Sequence, residues 1–116
     1  MSENTANNIV RICAQSEIAA DSVKAFDIGD KRLAVFNIAG RYYITDDECT
    51  HASASLADGM LEGEVIECAV HMGAFHVPTG EVRAPPCAMA LRTYKVMLEG
   101  GDLLVDLDRD AAGEIG

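Results

Sequence analysis

Short apolar runs, each followed by turn-forming residues, recur along most of this chain. Within Ser22–Ile28, polar and apolar side chains alternate with the two-residue period of a half-exposed strand. Turn residues such as Gly29-Asp30, Ala39-Gly40 and Pro78-Thr79-Gly80 separate the runs. The pattern predicts an all-β sandwich or barrel of hairpins, with one helical turn near residues 15–20. The predicted strands are Ile9–Cys13, Ser22–Ile28, Leu33–Ile38, Tyr42–Thr45, Val65–Cys68, Ala74–Val77, Leu91–Leu98 and Leu103–Leu107.

The stretch from Asp46 to Cys87 departs from this rhythm. Its predicted strands are short, and its loops are rich in Ala, Ser, Gly and Pro. Small residues let backbone N–H groups approach a bound group closely. We therefore expect a small binding subdomain at about residues 46–87, inserted into a larger β frame within one domain, residues 1–116.

Size and charge exclude several classes of function. The formal net charge of −10 over 116 residues argues against nucleic-acid binding, which needs a basic surface. The charge is compatible with steering toward basic partners, and equally with keeping a small protein dispersed. The apolar runs are too short to span a membrane, and the polar N-terminus does not resemble a secretory signal. We expect a cytoplasmic protein with no membrane partner.

Two short motifs, Cys49-Thr50-His51 and Cys68-Ala69-Val70-His71, carry the candidate chemistry. Sixteen residues separate them, and each offers one thiolate and one imidazole. A [2Fe–2S] cluster with two Cys on one iron and two His on the other needs this set of ligands. A structural zinc site could use the same four residues, although zinc sites more often pair like residues.

These motifs and their flanks resemble the Rieske family, in which C-x-H is followed by C-x-x-H after a similar spacing. The flanks agree at Asp58-Gly59, Leu61-Glu62-Gly63, Gly73-x-Phe75, Thr79-Gly80 and Pro85-Pro86. The resemblance covers nearly the whole chain and is strongest with the small Rieske ferredoxins of aromatic-ring-hydroxylating dioxygenases. It implies an antiparallel β-sandwich with a small inserted cluster-binding subdomain.

The resemblance also implies a function and the role of each ligand. Such a ferredoxin carries single electrons from a flavin-containing, NAD(P)H-dependent reductase to a Rieske non-haem iron terminal oxygenase. It is an electron-transfer component and not an enzyme, and it binds no organic substrate. Carried over to this chain, Cys49 and Cys68 would bind the buried iron of one [2Fe–2S] cluster, and His51 and His71 the outer iron.

Departures from the respiratory members of the family predict a low reduction potential. Their disulfide cannot form here, because Ala54 and Val70 occupy the two cysteine positions. Gly73 and Phe75 stand where a serine and a tyrosine donate to the cluster sulfurs. Fewer donors stabilise the reduced cluster less, so we expect a potential of about −150 mV rather than about +300 mV.

Several alternatives stay open at this point. The chain could be a Rieske-like small subunit of an assimilatory nitrite reductase, although those often lack the full ligand set, or a zinc-stabilised binding module. His76 is expected to be a strand histidine bonded to a neighbour, and Cys13 and Cys87 to be packing residues. The acidic run Asp46-Asp47-Glu48 could assist docking or tune the potential, but a solvated turn is the simpler interpretation.

Overall fold

The computed structural model describes residues 8–50, 54–69, 73–85 and 89–108. The described residues form ten β-strands and two short 3₁₀ turns, at Gln15–Glu17 and Leu56–Asp58, with no α-helix among them. The strands are β1 (Ile9–Ala14), β2 (Ser22–Ile28), β3 (Lys31–Ile38), β4 (Arg41–Asp46), β5 (Met60–Glu62), β6 (Val65–Glu67), β7 (Ala74–His76), β8 (Val82–Ala84), β9 (Thr93–Glu99) and β10 (Asp102–Asp106).

Six strands form the larger sheet, in the order β1-β10-β9-β4-β3-β2. Every neighbouring pair is antiparallel, and tight turns join β2 to β3, β3 to β4 and β9 to β10. Glycines with positive φ occupy these turns, as expected where a hairpin reverses direction. The predicted antiparallel all-β fold is confirmed.

The smaller sheet has the order β5-β6-β7-β8 and is also antiparallel. All four of its strands are three residues long. It lies in sequence between β4 and β9, which pair with each other directly at Ile44↔Tyr94 and Thr45↔Thr93. The four strands of the smaller sheet, within residues 60–84, are therefore inserted between two neighbouring strands of the larger sheet.

Strand β3 contributes alternate residues to two hydrophobic cores. Ala34, Phe36 and Ile38 belong to a core shared with the smaller sheet. Leu33 and Val35 belong to the second core, with residues of β1, β4, β9 and β10. Because side chains alternate across a strand, β3 is buried on both faces and forms the wall between the two cores.

All eight predicted strands are present, with ends that differ by at most two residues. Two strands were not predicted, β5 and β8, the two edge strands of the smaller sheet. The helical turn predicted at residues 15–20 is a shorter 3₁₀ turn at Gln15–Glu17. No helix in the described part of the chain is both long and apolar enough to cross a membrane.

Candidate metal centre

The first candidate arm, residues 49–54, follows β4 and is closed at its base by backbone hydrogen bonds. The N–H of Cys49 donates to the carbonyl oxygen of Ala54 at 2.9 Å. One step outward from the arm, Glu48 and Ser55 form an isolated β-bridge. The N–H of Leu56 then donates to the carbonyl of Asp47 at 2.7 Å. The chain thus leaves the larger sheet, forms the arm and returns beside its own starting point.

The second candidate arm, residues 68–73, connects β6 to β7 and closes in the same way. The N–H of Cys68 donates to the carbonyl of Gly73 at 2.7 Å. Directly below, Glu67 pairs with Ala74 and Ile66 with Phe75 in the antiparallel ladder. In both arms the cysteine N–H therefore bonds to the carbonyl of the fifth residue along the chain.

Both arm cysteines lie in one hydrophobic core. Cys49 is 4% exposed and Cys68 is 1% exposed, and both pack in the core that contains Leu56, Ile66 and Phe75. The fold thus brings together two sulfur donors that are nineteen positions apart in sequence and shields them from water. This arrangement fits the all-sulfur, buried iron of a cluster with mixed ligands. The candidate ligands His51 and His71 lie outside the described residues.

Phe75 is fully buried beside these cysteines. It occupies the position at which the respiratory relatives supply a hydroxyl donor, and a phenyl ring supplies no hydrogen bond to sulfur. The low potential therefore stays a prediction that this packing supports.

Asp47 is the residue that sequence reasoning misjudged. Instead of a solvated turn, it is a buried carboxylate, 1% exposed. Its Oδ2 accepts a hydrogen bond from Nε of Arg32 at 3.1 Å, and its Oδ1 accepts from the N–H of Ala57 at 3.0 Å. The hydrogen bond to Asp47 is also the main reason that the pKa of Arg32 is raised. Nothing in the local sequence points to this pair, because its partners are fifteen residues apart.

The other two residues of the acidic run face different surroundings. Oδ1 of Asp46 accepts a hydrogen bond from the Tyr94 hydroxyl at 2.6 Å, within the larger sheet. Glu48 is exposed. Three consecutive carboxylates thus serve the sheet, the base of the first arm and the surface.

His76 is a strand histidine with neighbours on both ring nitrogens. Its Nδ1 lies 2.8 Å from the Thr79 hydroxyl, and its Nε2 lies 3.1 Å from Oε1 of Glu64. The predicted role as a bonded strand residue is confirmed.

Cys13 and Cys87 differ in what the structure describes. Cys13 is buried in the second core and forms no disulfide, and burial raises the pKa of its thiol. Its predicted role as a packing residue is confirmed. Cys87 lies outside the described residues.

A third segment, at residue 89, meets the first arm. The hydroxyl of Thr50 donates to the carbonyl of Met89 at 2.9 Å. The Met89 side chain is 68% exposed, and that of Met60, at the start of β5, is 65% exposed. Residues 46–87 carry eight carboxylates and one basic side chain, Arg83.

Comparison with known proteins agrees with this geometry. Residues 8–95 match the family model described as Rieske [2Fe-2S] domain. The ferredoxin component of biphenyl 2,3-dioxygenase from Rhodococcus jostii (strain RHA1) is 39% identical over 100 residues, covering 86% of this chain and 94% of that protein.

Solved structures show the same similarity. The Sphingomonas yanoikuyae B1 ferredoxin superposes with a TM-score of 0.81 at 36% identity, covering 85% of this chain and 98% of that one. A chain in the complex of reduced oxygenase and oxidized ferredoxin of carbazole 1,9a-dioxygenase gives a TM-score of 0.80 at 36% identity. The match covers 84% of this chain and 92% of that one.

Proposed function

Because the chain belongs to the Rieske [2Fe–2S] family, we propose that it is a cytoplasmic ferredoxin of an aromatic-ring-hydroxylating dioxygenase system. It accepts single electrons from a flavin-containing, NAD(P)H-dependent reductase and passes them to a Rieske non-haem iron terminal oxygenase. The observation that carries the proposal is the pair of similarly closed arms, each starting with a cysteine in the same core. The relatives named as ferredoxin components support the choice of partners.

Four side chains would hold the single [2Fe–2S] cluster. Cys49 and Cys68 would provide thiolates to one iron, and His51 and His71 would provide neutral imidazoles to the other. When bound, the cluster supplies one-electron redox chemistry. The protein keeps water away from the sulfur ligands, because Leu56, Ile66 and Phe75 pack around the two cysteines.

The chain moves electrons and leaves the chemistry on the aromatic ring to the oxygenase. It binds no organic substrate, and its electron exit is the outer imidazole edge. The match to an iron–sulfur family model favours this function over a zinc-stabilised module. The relatives named as dioxygenase ferredoxins likewise favour it over a nitrite reductase subunit.

Charge supports fast, transient docking. The cluster-binding stretch carries seven of the ten net negative charges of the chain. Among its carboxylates, Glu48, Asp58, Glu62, Glu64 and Glu81 are exposed. Opposite charge on a partner would raise the association rate, and salt would screen the attraction. The same charge argues against nucleic acid as a partner.

The proposal is tested by reconstitution with a flavin reductase and a terminal oxygenase of a ring-hydroxylating dioxygenase. We expect NADH-dependent hydroxylation only when this chain is present, with an initial rate that falls as salt is raised from low to physiological ionic strength. We also expect one electron per chain in a redox titration, with a midpoint of about −150 mV. A colourless protein with stoichiometric zinc would overturn the proposal. A midpoint potential well above zero would contradict the low potential expected because Phe75 supplies no hydroxyl donor.

A further inference from the structure

Asp47 joins three parts of the chain at the base of the first arm. Its carboxylate accepts from Arg32 on β3 and from Ala57 on the returning segment. Its backbone N–H donates to the carbonyl of Arg32 at 3.0 Å, and its carbonyl accepts from Leu56 at 2.7 Å. Four hydrogen bonds therefore converge on a residue two positions before Cys49.

The carboxylate is placed where its hydrogen bonds are hard to replace. It is 1% exposed, and a buried carboxylate without partners is strongly disfavoured. The guanidinium of Arg32 is about half exposed and also donates from Nη1 to Oδ1 of Asp27 at 3.1 Å. Arg32 thus links one buried and one exposed carboxylate, of which only the buried one touches the arm.

We infer that Asp47 and Arg32 are positioning residues that fix the direction of the Cys49 thiolate. The inference rests on the proposed function, in which Cys49 is a ligand. The hydrogen bonds of Asp47 tie the chain before Cys49 to Arg32 at the start of β3, and tie the chain after Ala54 to Asp47 itself. With both ends of the arm fixed, the arm cannot pivot on the larger sheet. Outer partners that orient ligands commonly change metal retention by about 10-fold to 100-fold.

Asp47→Asn and Arg32→Gln test this role, with Asp27→Asn as the matched control. In Asp47→Asn, the side chain keeps one acceptor oxygen and gains an NH₂ group. The oxygen can accept from Arg32 or from the Ala57 N–H, and the NH₂ group then faces the other donor. One of the two hydrogen bonds is therefore lost. Arg32→Gln removes the positive charge, so the buried carboxylate of Asp47 loses its cationic partner. Asp27→Asn removes the exposed carboxylate of Arg32 and leaves the base of the arm intact.

The rate of cluster loss to a chelator is the first readout, and the visible circular dichroism of the bound cluster is the second. We expect cluster loss about tenfold faster in Asp47→Asn and Arg32→Gln, with altered visible dichroism in both. Asp27→Asn should stay within about twofold of the native rate and keep the native spectrum. Arg32→Lys keeps the charge but lacks the planar fork, so we expect it to fall between native protein and Arg32→Gln.

An effect of charge alone and an effect on the orientation of Cys49 predict different results in these variants. If these residues acted only through charge, removing a negative and a positive group would shift the midpoint potential in opposite directions with an unchanged dichroism spectrum. That result would overturn the inference, as would native retention in both variants. If Asp47→Asn fails to fold, the Arg32 series decides alone. If the native protein binds no cluster, the proposed function fails. If the native protein binds a cluster and both variants retain it equally well, only the positioning role fails.

Discussion

The two arms close by the same hydrogen bond but are anchored in different ways. In each, a buried cysteine donates its N–H to the carbonyl of the fifth residue along the chain. The first arm is fixed to the larger sheet by a buried carboxylate and an arginine. The second arm continues directly from two paired strands, whose inward side chains Ile66 and Phe75 are fully buried. The same backbone closure is thus supported by polar contacts in one arm and by apolar packing in the other.

This difference determines how each arm can be damaged. The first arm depends on a few directional hydrogen bonds, so a change of charge or donor pattern should loosen it without disturbing the core. The second arm depends on close packing, so an added carbon atom should disturb it without any change of charge.

The largest effect on cluster binding is expected from replacing the cysteine that begins each arm. Cys49→Ser and Cys68→Ser should each abolish cluster binding, because each removes one of two thiolates from the same iron. Iron and sulfide analysis with visible absorbance would show the loss, and far-ultraviolet circular dichroism should still show β structure from the larger sheet. Cys13→Ala, a buried cysteine outside both arms, is the control and should keep full iron content. A Cys49 or Cys68 variant with the native spectrum would remove that residue from the ligand set.

Gly59→Ala should damage the second arm by steric overlap. A Cβ at Gly59 would lie 2.1 Å from the carbonyl oxygen of Glu67, the residue before Cys68. The φ of Gly59 is −86°, which any residue adopts, so the cost is steric alone. We expect a loss of about 1–3 kcal/mol in the free energy of unfolding, measured by denaturant titration, and faster cluster loss.

Gly63→Ala is the control for this substitution. Gly63 has φ +60° and nothing within 4 Å of the added carbon, so the variant should lose about 1 kcal/mol through backbone strain and retain its cluster at the native rate. Equal cluster loss in both variants would show that the close contact at Gly59 has no special effect on the second arm.

Thr50→Val tests a weaker contact of the first arm. The substitution keeps the shape of the side chain but removes the hydroxyl that donates to the carbonyl of Met89. Since Thr50 is exposed, water can replace the lost partner, and we expect a loss of only about 0.5–1 kcal/mol by denaturant titration. A loss larger than that of Gly59→Ala would contradict the expectation that this exposed hydrogen bond contributes little.

The smallest effect concerns Cys13, whose raised pKa makes stability depend on alkaline pH. In the folded protein the thiol keeps its proton above the pH at which the unfolded chain releases it. The native state then binds more protons, so stability falls as pH rises above about 8.5, the ordinary thiol value. Denaturation between neutral and alkaline pH should show a steeper decline in the native protein than in Cys13→Ala. Parallel curves would contradict this assignment.

The sequence predicts the frame better than the insertion because their strands differ in length and composition. Strand β2 matches its predicted bounds because polar and apolar side chains alternate at its start and turn residues, Gly29-Asp30, follow its last residue. Strands β5 and β8 have three residues each and no buried side chain, whereas the equally short β6 and β7 carry buried apolar residues. Pairing with β6 and β7 determines their conformation more than local preference does.

For the site, spacing identifies candidate ligands but not what holds them. The Cys and His motifs are local patterns, so sequence alone selects Cys49 and Cys68, which the fold brings into one core. The partner of Asp47 is not local, because Arg32 lies on β3 and reaches it only after the larger sheet forms. Burial of a carboxylate within an acidic run therefore could not be foreseen.

Pulsed electron paramagnetic resonance of the dithionite-reduced protein tests the central claim most directly. Two histidines on one iron of a [2Fe–2S] cluster predict strong coupling of the unpaired electron to two nitrogen nuclei. His71→Cys should reduce the count to one. A reduced protein that gives no signal, or a signal without directly coordinated nitrogen, would contradict a cluster shared between two thiolates and two imidazoles.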